Sequence, residues 1–415
     1  MAAILLALAA VVQVKDLLGA YASMSQTGDW ALLVGSARSA WHGLTPFWPP
    51  GVTGIQRLVQ IRTPYPPTYY FLMWPWVQLP DNIARLLWLG LQEGSLGVLI
   101  AGVYAGIGRP GLVEGMTATA LVVMLFPVRQ AIFEGQLGVI LAAMLVLTLL
   151  ADRRGWQAAG GLALGLAVAI KITPVFVLPY FIWRRRWRLV AVSLVVPLGL
   201  VLLTLAFGWA PRWAEFPVIF LPLGRGTGFL ANQGLNGIML RLFHPALDSD
   251  PLLADLPPLF HAAWLIVEAA FAAALAVLVV RMLRARERGS LPSAEREWAA
   301  YAVVLLGVPL LQPYAWFHHL AAAGVAVIVV VRLATRGRLA PIPLTLMGIA
   351  YLGATVLFLP AYTAARGIPG AQLAGDPALQ LGTSIVGFSA LLALGSAWAL
   401  VKSTAGRRDA VDRIG

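Results

Sequence analysis

The sequence predicts an all-α integral membrane protein: a polytopic bundle of about 12 transmembrane helices with long loops on its outer face. Three observations carry this expectation. Hydrophobic types make up 60% of the 415 residues and charged types 12%, whereas a soluble domain carries about a quarter charged residues. Residues 191–208, 341–359 and 377–401 contain no Asp, Glu, Lys or Arg, and roughly 18 apolar residues suffice to cross the hydrocarbon layer as a helix. The alternating segments of roughly ten residues that mark a membrane barrel are missing, so helices are left to satisfy the backbone within lipid.

The elements follow in chain order. Residues 1–20 form a first hydrophobic segment, read as a retained helix because no small-residue cleavage site closes it. Residues 65–80, 83–107, 111–127, 136–151 and 156–183 are apolar in turn. Basic clusters at Arg184–Arg188, Arg281–Arg288, Arg332–Arg338 and Lys402–Arg413 are placed in the cytoplasm by the positive-inside rule. Segments 187–208, 341–359 and 297–313 then run outward, and 259–281, 316–332 and 379–401 return, with both termini cytoplasmic. Outer loops fall at 21–64, 209–258 and 360–378, and the chain reads as a single domain over 1–415. The first half admits two topologies. If Arg153-Arg154 is cytoplasmic, 156–183 is a hairpin with Lys171-Ile172-Thr173-Pro174 at its tip. If 156–183 is one broken helix, Arg153-Arg154 lies outside.

The formal charge of +12 belongs to such loops rather than to a nucleic-acid surface, since no basic segment interleaved with aromatics forms a single-strand platform. The chain has no Cys, which excludes disulfides and Cys-based metal sites.

Ionisable groups beside apolar segments are costly and so informative. Asp29 precedes Trp30, Val34, Ala37 and Trp41, whose spacing predicts an amphipathic helix on the outer membrane face. Asp29 can serve as its cap or as a reacting carboxylate. Lys171 can be a snorkelling anchor or an anion site. His318-His319 open a helix after Pro313. Adjacent histidines point to different sides of a helix, and no third ligand stands at a recognisable spacing, so no metal is expected there. Glu134-Gly135-Gln136 and Asn232-Gln233-Gly234-Leu235-Asn236-Gly237 are turn-forming runs beside apolar segments. Glu93 and Glu268 are expected to face the bundle interior.

Together these residues fit one chemistry. A polyprenyl-phosphate sugar carries a good leaving group, and breaking its glycosidic bond calls for cations or hydrogen-bond donors at the phosphate. Lys171, His318 and His319 suit that task, with Arg129 and Arg62 as further candidates. The acceptor hydroxyl needs a base, and Asp29 suits it. One carboxylate suffices, unlike the paired carboxylates of glycosidases. No Gly-rich nucleotide loop is visible. A lipid or sugar transporter is the competing class, although its paired broken helices are not apparent.

The same residues resemble glycosyltransferase family 87, of the GT-C class, from about 25 to 335. The resemblance lies in ordered motifs: Asp29 with Gly43-Leu44-Thr45-Pro46, Tyr65-Pro66-Pro67, Gly135-Gln136, the small-residue run to Ile170 with Lys171-Ile172-Thr173-Pro174, Asn232-Gln233 with Asn236-Gly237, and Trp316-Phe317-His318-His319. It implies an inverting hexosyltransferase, mannosyltransferase-like, using a polyprenyl-phosphate sugar to modify a cell-envelope lipid or glycan at the outer face. Asp29 would be the base. Lys171, His318, His319, Arg129 and Arg62 would hold the donor phosphate, and Tyr65, Gln136, Asn232, Gln233 and Asn236 would bind substrate. The partners implied are the lipid-linked donor, the acceptor and membrane lipid, with no cofactor. Aminoarabinose or oligosaccharide transfer is the alternative within enzymes.

Overall fold

The computed structural model describes residues 1–24, 29–48, 64–223, 226–243, 258–284, 292–365 and 376–397. No strand forms among them. An isolated bridge joins Asn232 to Trp316.

The first helix, α1, is Ala2–Ser23, and the amphipathic helix foreseen at Asp29 is α2, Asp29–Trp41. The apolar stretch at 65–80 is not a crossing. It is broken into α3 (Pro67–Leu72) and α4 (Trp74–Gln78), because prolines open both pieces. Next come α5 (Asp81–Ile107), α6 (Leu112–Met124), α7 (Phe126–Phe133) and α8 (Gly138–Arg153). The segment 156–183 splits into α9 (Gln157–Ile170), a 3-10 turn at Thr173–Val177 and α10 (Leu178–Trp183). The second half holds α11 (Trp187–Ala206), α12 (Ala210–Leu223), α13 (Leu235–Phe243), α14 (Pro258–Arg284) and α15 (Ser293–Leu310). A 3-10 segment Phe317–Ala322 leads into α16 (Ala323–Thr335), followed by α17 (Pro341–Leu352) and α18 (Leu359–Ala365). The last helices are α19 (Pro377–Thr383) and α20 (Ile385–Ala397).

Among the described residues six helices are long and apolar enough to cross a membrane, or seven if α6 and α7, bent by 57°, count as one span. The expected count of about 12 also enrols shorter apolar helices, and length and composition do not reach it. The surface agrees with a lipid surround. On α11, Leu194, Val195, Leu198 and Leu202 are 50–63% exposed, a continuous apolar face of the kind that soluble monomers avoid.

Ion pairs identify which helix ends share a face. Arg153 pairs with Glu297, and Arg184 pairs with both Glu297 and Asp152. Arg186 adds a contact to Asp152 at 3.1 Å. Arg153 and the 184–188 cluster are therefore at the same end of the bundle, so 156–183 is the hairpin and not a single broken crossing. Arg332 joins this basic face further along. Its guanidinium pairs with Glu114 at 3.0 Å and Glu295 at 3.1 Å and donates to the carbonyls of Ile107 and Arg109. Arg338 also pairs with Glu295. The hairpin is held by close approach. A Cβ on Gly161 would lie 2.6 Å from the Leu189 carbonyl oxygen, so α9 and α11 touch backbone to backbone as small-residue membrane interfaces do.

Candidate active site

The opposite end of the bundle gathers the polar residues. α7 ends in a Schellman turn: Gly135 N–H donates to the Ile132 carbonyl and Gln136 N–H to the Ala131 carbonyl, at 3.1 and 2.8 Å. Gly135 takes φ +69° there, and a Cβ on it would stand 2.7 Å from the Trp30 Cβ. This turn receives α2. The Trp30 N–H donates to the Glu134 carbonyl at 3.1 Å. The Trp88 indole donates to the Gly135 carbonyl at 2.8 Å, and its ring packs 4.7 Å from that of Trp30.

That seating brings Asp29 to Gln136. The Gln136 amide donates to Asp29 Oδ2 at 2.5 Å, and its oxygen accepts from the Tyr65 hydroxyl at 3.1 Å. Burial raises the Asp29 carboxyl above the usual Asp range, and the Gln136 hydrogen bond and the nearby Lys171 charge partly offset this. The carboxylate thus sits at the start of a helix, but its oxygen is engaged by a side chain 107 residues away.

Lys171 stands where α9 stops, ahead of Pro174 in the following turn. The Thr68 hydroxyl donates to the Ala169 carbonyl at 2.5 Å, taking up one of the acceptors a helix end leaves over. The Lys171 ammonium lies 5.4 Å from the centre of the Tyr65 ring and is hydrogen-bonded to the Nε2 of His319. His318 packs edge-on against His319 at 4.6 Å. Phe317 anchors this turn among Phe126, Phe358 and Tyr362, at 5.3 to 5.5 Å. A small cavity opens beside the cluster, with Lys171, Thr173, Gln312 and His319 on its polar edge. Within it or next to it, His318 Nε2 and Gln312 Oε1 are buried with no hydrogen-bond partner among the described residues.

Other expected residues are placed differently. Arg129 forms a two-pronged pair with Asp16 of α1, at 2.6 and 3.1 Å, and no contact joins it to Lys171 or the histidines among the described residues. Its charge is matched by Asp16 within the bundle. Arg62 and the cluster Lys402–Arg413 lie outside the described residues. The Asn232 amide is engaged within the protein. The amide donates to the carbonyls of Thr227 and Pro313 and accepts from the N–H groups of Gly234 and Ala315. Gln233 likewise donates to Leu230 and Thr383 and accepts from Gly387. The Asn232 amide thus braces the turn at Pro313 and Ala315, whereas the Gln233 amide ties the segment to Thr383 and Gly387 and only its backbone N–H reaches Ala315. Asn236 packs beneath Gly226, buried in the strap formed by residues 226–243. Sequence reasoning missed Trp88, Thr68 and Gln312. A Trp or Thr in an apolar run carries no local signal of its distant partner. Glu93 accepts from Gln13 on α1 at 2.6 Å, an interior pairing of the expected kind.

Fold and site together define a polytopic helical membrane protein with a carboxylate, a lysine and a histidine pair in one mouth. A profile of glycosyltransferase family 87 matches residues 63–313, more than half of the chain, and the chain belongs to that family. Among its relatives is a polyprenol-phosphate-mannose-dependent alpha-(1-2)-phosphatidylinositol mannoside mannosyltransferase of Mycobacterium tuberculosis, 28% identical over 329 residues, covering 75% of this chain and 72% of the relative. Another is a polyprenol-phosphate-mannose-dependent alpha-(1-2)-phosphatidylinositol pentamannoside mannosyltransferase of Mycolicibacterium smegmatis, 27% identical over 267 residues. That match covers 61% of this chain and 57% of the relative's length. Among solved structures, ArnT from Cupriavidus metallidurans in the apo state aligns with a TM-score of 0.42 and 16% identity, over 96% of this chain and 77% of that one.

Proposed function

We propose that this chain transfers a hexose, mannose being the best candidate, from a polyprenyl-phosphate sugar to a cell-envelope lipid or glycan. The observation that carries the reading is the continuous set Asp29–Gln136–Tyr65–Lys171–His319, held in one mouth by two hydrogen bonds, a cation–π contact and the lysine–histidine bond. The relatives' dependence on polyprenol-phosphate-mannose supports the donor class.

In this reading the acceptor hydroxyl oxygen attacks the anomeric carbon. The bond from that carbon to the phosphate oxygen breaks, and polyprenyl phosphate departs with the electron pair. Asp29 takes the hydroxyl proton as the new bond forms. Attack opposite the leaving group inverts the anomeric centre. Lys171 and the histidine pair stabilise the charge that develops on the phosphate, in a water-poor setting where such contacts are strong. Gln136 orients the base and Tyr65 orients Gln136. No metal is required, because side chains supply the leaving-group stabilisation.

The basic face is assigned to the cytoplasm, which puts the site at the outer face and the N-terminus inside. α9 has 14 residues and rises about 21 Å, less than the hydrocarbon thickness of about 30 Å. A helix of that rise begun at the inner boundary ends short of the outer one, so in this reading the donor phosphate dips into the mouth, below the headgroup plane, to meet Lys171.

The test is incubation of membranes carrying the native chain or Asp29→Asn with radiolabelled polyprenyl-phosphate mannose and a lipid extract. The native chain is expected to form a labelled glycolipid, and the variant to form roughly 10²–10⁴-fold less. Passage of label across vesicles with no new glycosidic bond would identify a transporter instead.

A further inference from the structure

A second polar cavity lies on the other side of α2 from Asp29. It occupies about 130 Å³ and is lined by Trp30, Gly35, Arg38, Asp81 and Arg85, with Met24 at its edge. Ala31, Gly35 and Arg38 follow one another at helical spacing, so they share one face of α2. Asp29 meets Gln136 elsewhere on that helix. Space beside Gly35 is open, since an added Cβ there would meet nothing within 4 Å.

Both guanidinium groups are held in place by one residue. The Asp81 carboxylate pairs with Arg38 at 2.5 Å, and the Asp81 carbonyl accepts from Arg85 Nε at 3.3 Å. Arg85 is further fixed by donating to the Tyr21 carbonyl at 3.0 Å and by lying 4.6 Å from the centre of the Tyr21 ring. Among the described residues, two guanidinium groups against one carboxylate leave the cavity lining with a surplus positive charge. The site lies at the ends of α1 and α5, at the same end of the bundle as Asp29, and an indole forms one wall. Guanidinium forks match the oxygens of a phosphate. None of these residues takes part in the donor-phosphate cluster.

We propose that this cavity binds the phosphodiester of an anionic lipid acceptor, so that α2 separates the acceptor's phosphate from the base that deprotonates its hydroxyl. The proposal rests on the transferase reading for the word acceptor, but not for the binding site itself. A neutral glycolipid would leave both arginines without a partner beyond those named, whereas a phosphoglycolipid places its one charge between them and its sugar past Trp30.

The experiment uses the full chain purified in neutral detergent. Retention of radiolabelled phosphatidylinositol is compared with that of phosphatidylcholine, for the native chain, Arg38→Gln and Arg85→Gln. In parallel, transfer from polyprenyl-phosphate mannose is measured with a mannosylated phosphatidylinositol and with an alkyl mannoside lacking phosphate. The native chain is expected to prefer phosphatidylinositol, and each variant to bind it about tenfold more weakly. The acceptor KM for the phosphate-bearing substrate rises with it while the donor KM holds. Retention unchanged by both variants overturns the proposal, as does a rise confined to the donor KM. Soluble glycerophosphoinositol competing as well as the lipid overturns the lipid source. Loss of retention in the variants alongside no transfer by the native chain upholds the site and sinks the transferase reading.

Discussion

Asp29 shows how one carboxyl group is made both available and restrained. It heads a helix, where a negative charge is favoured by the backbone dipoles, yet Gln136 fixes its orientation. Because burial raises its carboxyl above the usual Asp range, the acidic limb of the pH–rate profile is expected above the midpoint of an ordinary Asp. A base works deprotonated, so the rate falls as pH drops through that value. Gln136→Leu removes the offsetting hydrogen bond and is expected to move the limb to still higher pH, and an unmoved limb in steady-state assays would remove Asp29 as the titrating base. Gly135→Ala forces φ +69° on a residue with a Cβ and drives that atom toward Trp30. Transfer is expected to fall at least tenfold while the chain still inserts, read from labelled product per mole of purified protein. Asp29, Lys171 and the histidines were legible in the sequence because polar groups in apolar surroundings need a reason. The pairing of Arg129 was not legible, for the converse cause. Its partner Asp16 is 113 residues away, and nothing local distinguishes a matched cation from an open one.

The strap that begins at Gly226 and runs through α13 works at the scale of an element. Asn232 and Gln233 were visible as polar turn residues, but their direction was not, since it is set by the backbone of Pro313, Ala315 and Gly387. Asn232→Ala leaves the Ala315 N–H and two carbonyls without that amide, at about 1–3 kcal/mol for each buried group left unmatched. The expected result is a lower kcat, with the donor KM changing less, because the variant loosens the turn that carries His318-His319 without deleting either ring. The α9–α10 hairpin was left open by the sequence for a similar reason. Both topologies satisfy hydrophobicity, and the choice is made by Glu297, 144 residues from Arg153. The Cys-free chain permits a direct check. Arg154→Cys and Arg185→Cys are expected to react with an impermeant maleimide from one side of a vesicle, and Asn82→Cys from the other. Labelling of the first two from opposite sides would overturn the hairpin.

At the scale of the molecule, the helical membrane bundle was fully legible, since composition and charge-free stretches alone require it. The mixture of long and short helices was not, because hydropathy records apolar length and cannot tell a crossing from a piece folded against its neighbours. The two ends of the bundle carry different duties. Arg332 ties α5, α6 and α15 to α16 through buried partners at the basic face. Arg332→Met leaves Glu295 with Arg338 and Glu114 with the longer contacts to Thr335 and Arg336, and is expected to cost about 1–3 kcal/mol, seen as a lower midpoint of thermal unfolding in detergent.

The limbs of the hairpin, Gln157–Ile170 and Thr173–Trp183, are each shorter than the helices that meet the span criterion. Insertion machinery that reads stretches of about 20 apolar residues has no reason to accept either limb by itself. The pair has to be drawn in by α8 and α11, once those flanking helices are seated and the glycine face of α9 has a wall to lie against. Biogenesis of the protein then carries a lysine most of the way through hydrocarbon as its late step. Until that step is complete, Lys171 stands apart from Tyr65 and His319.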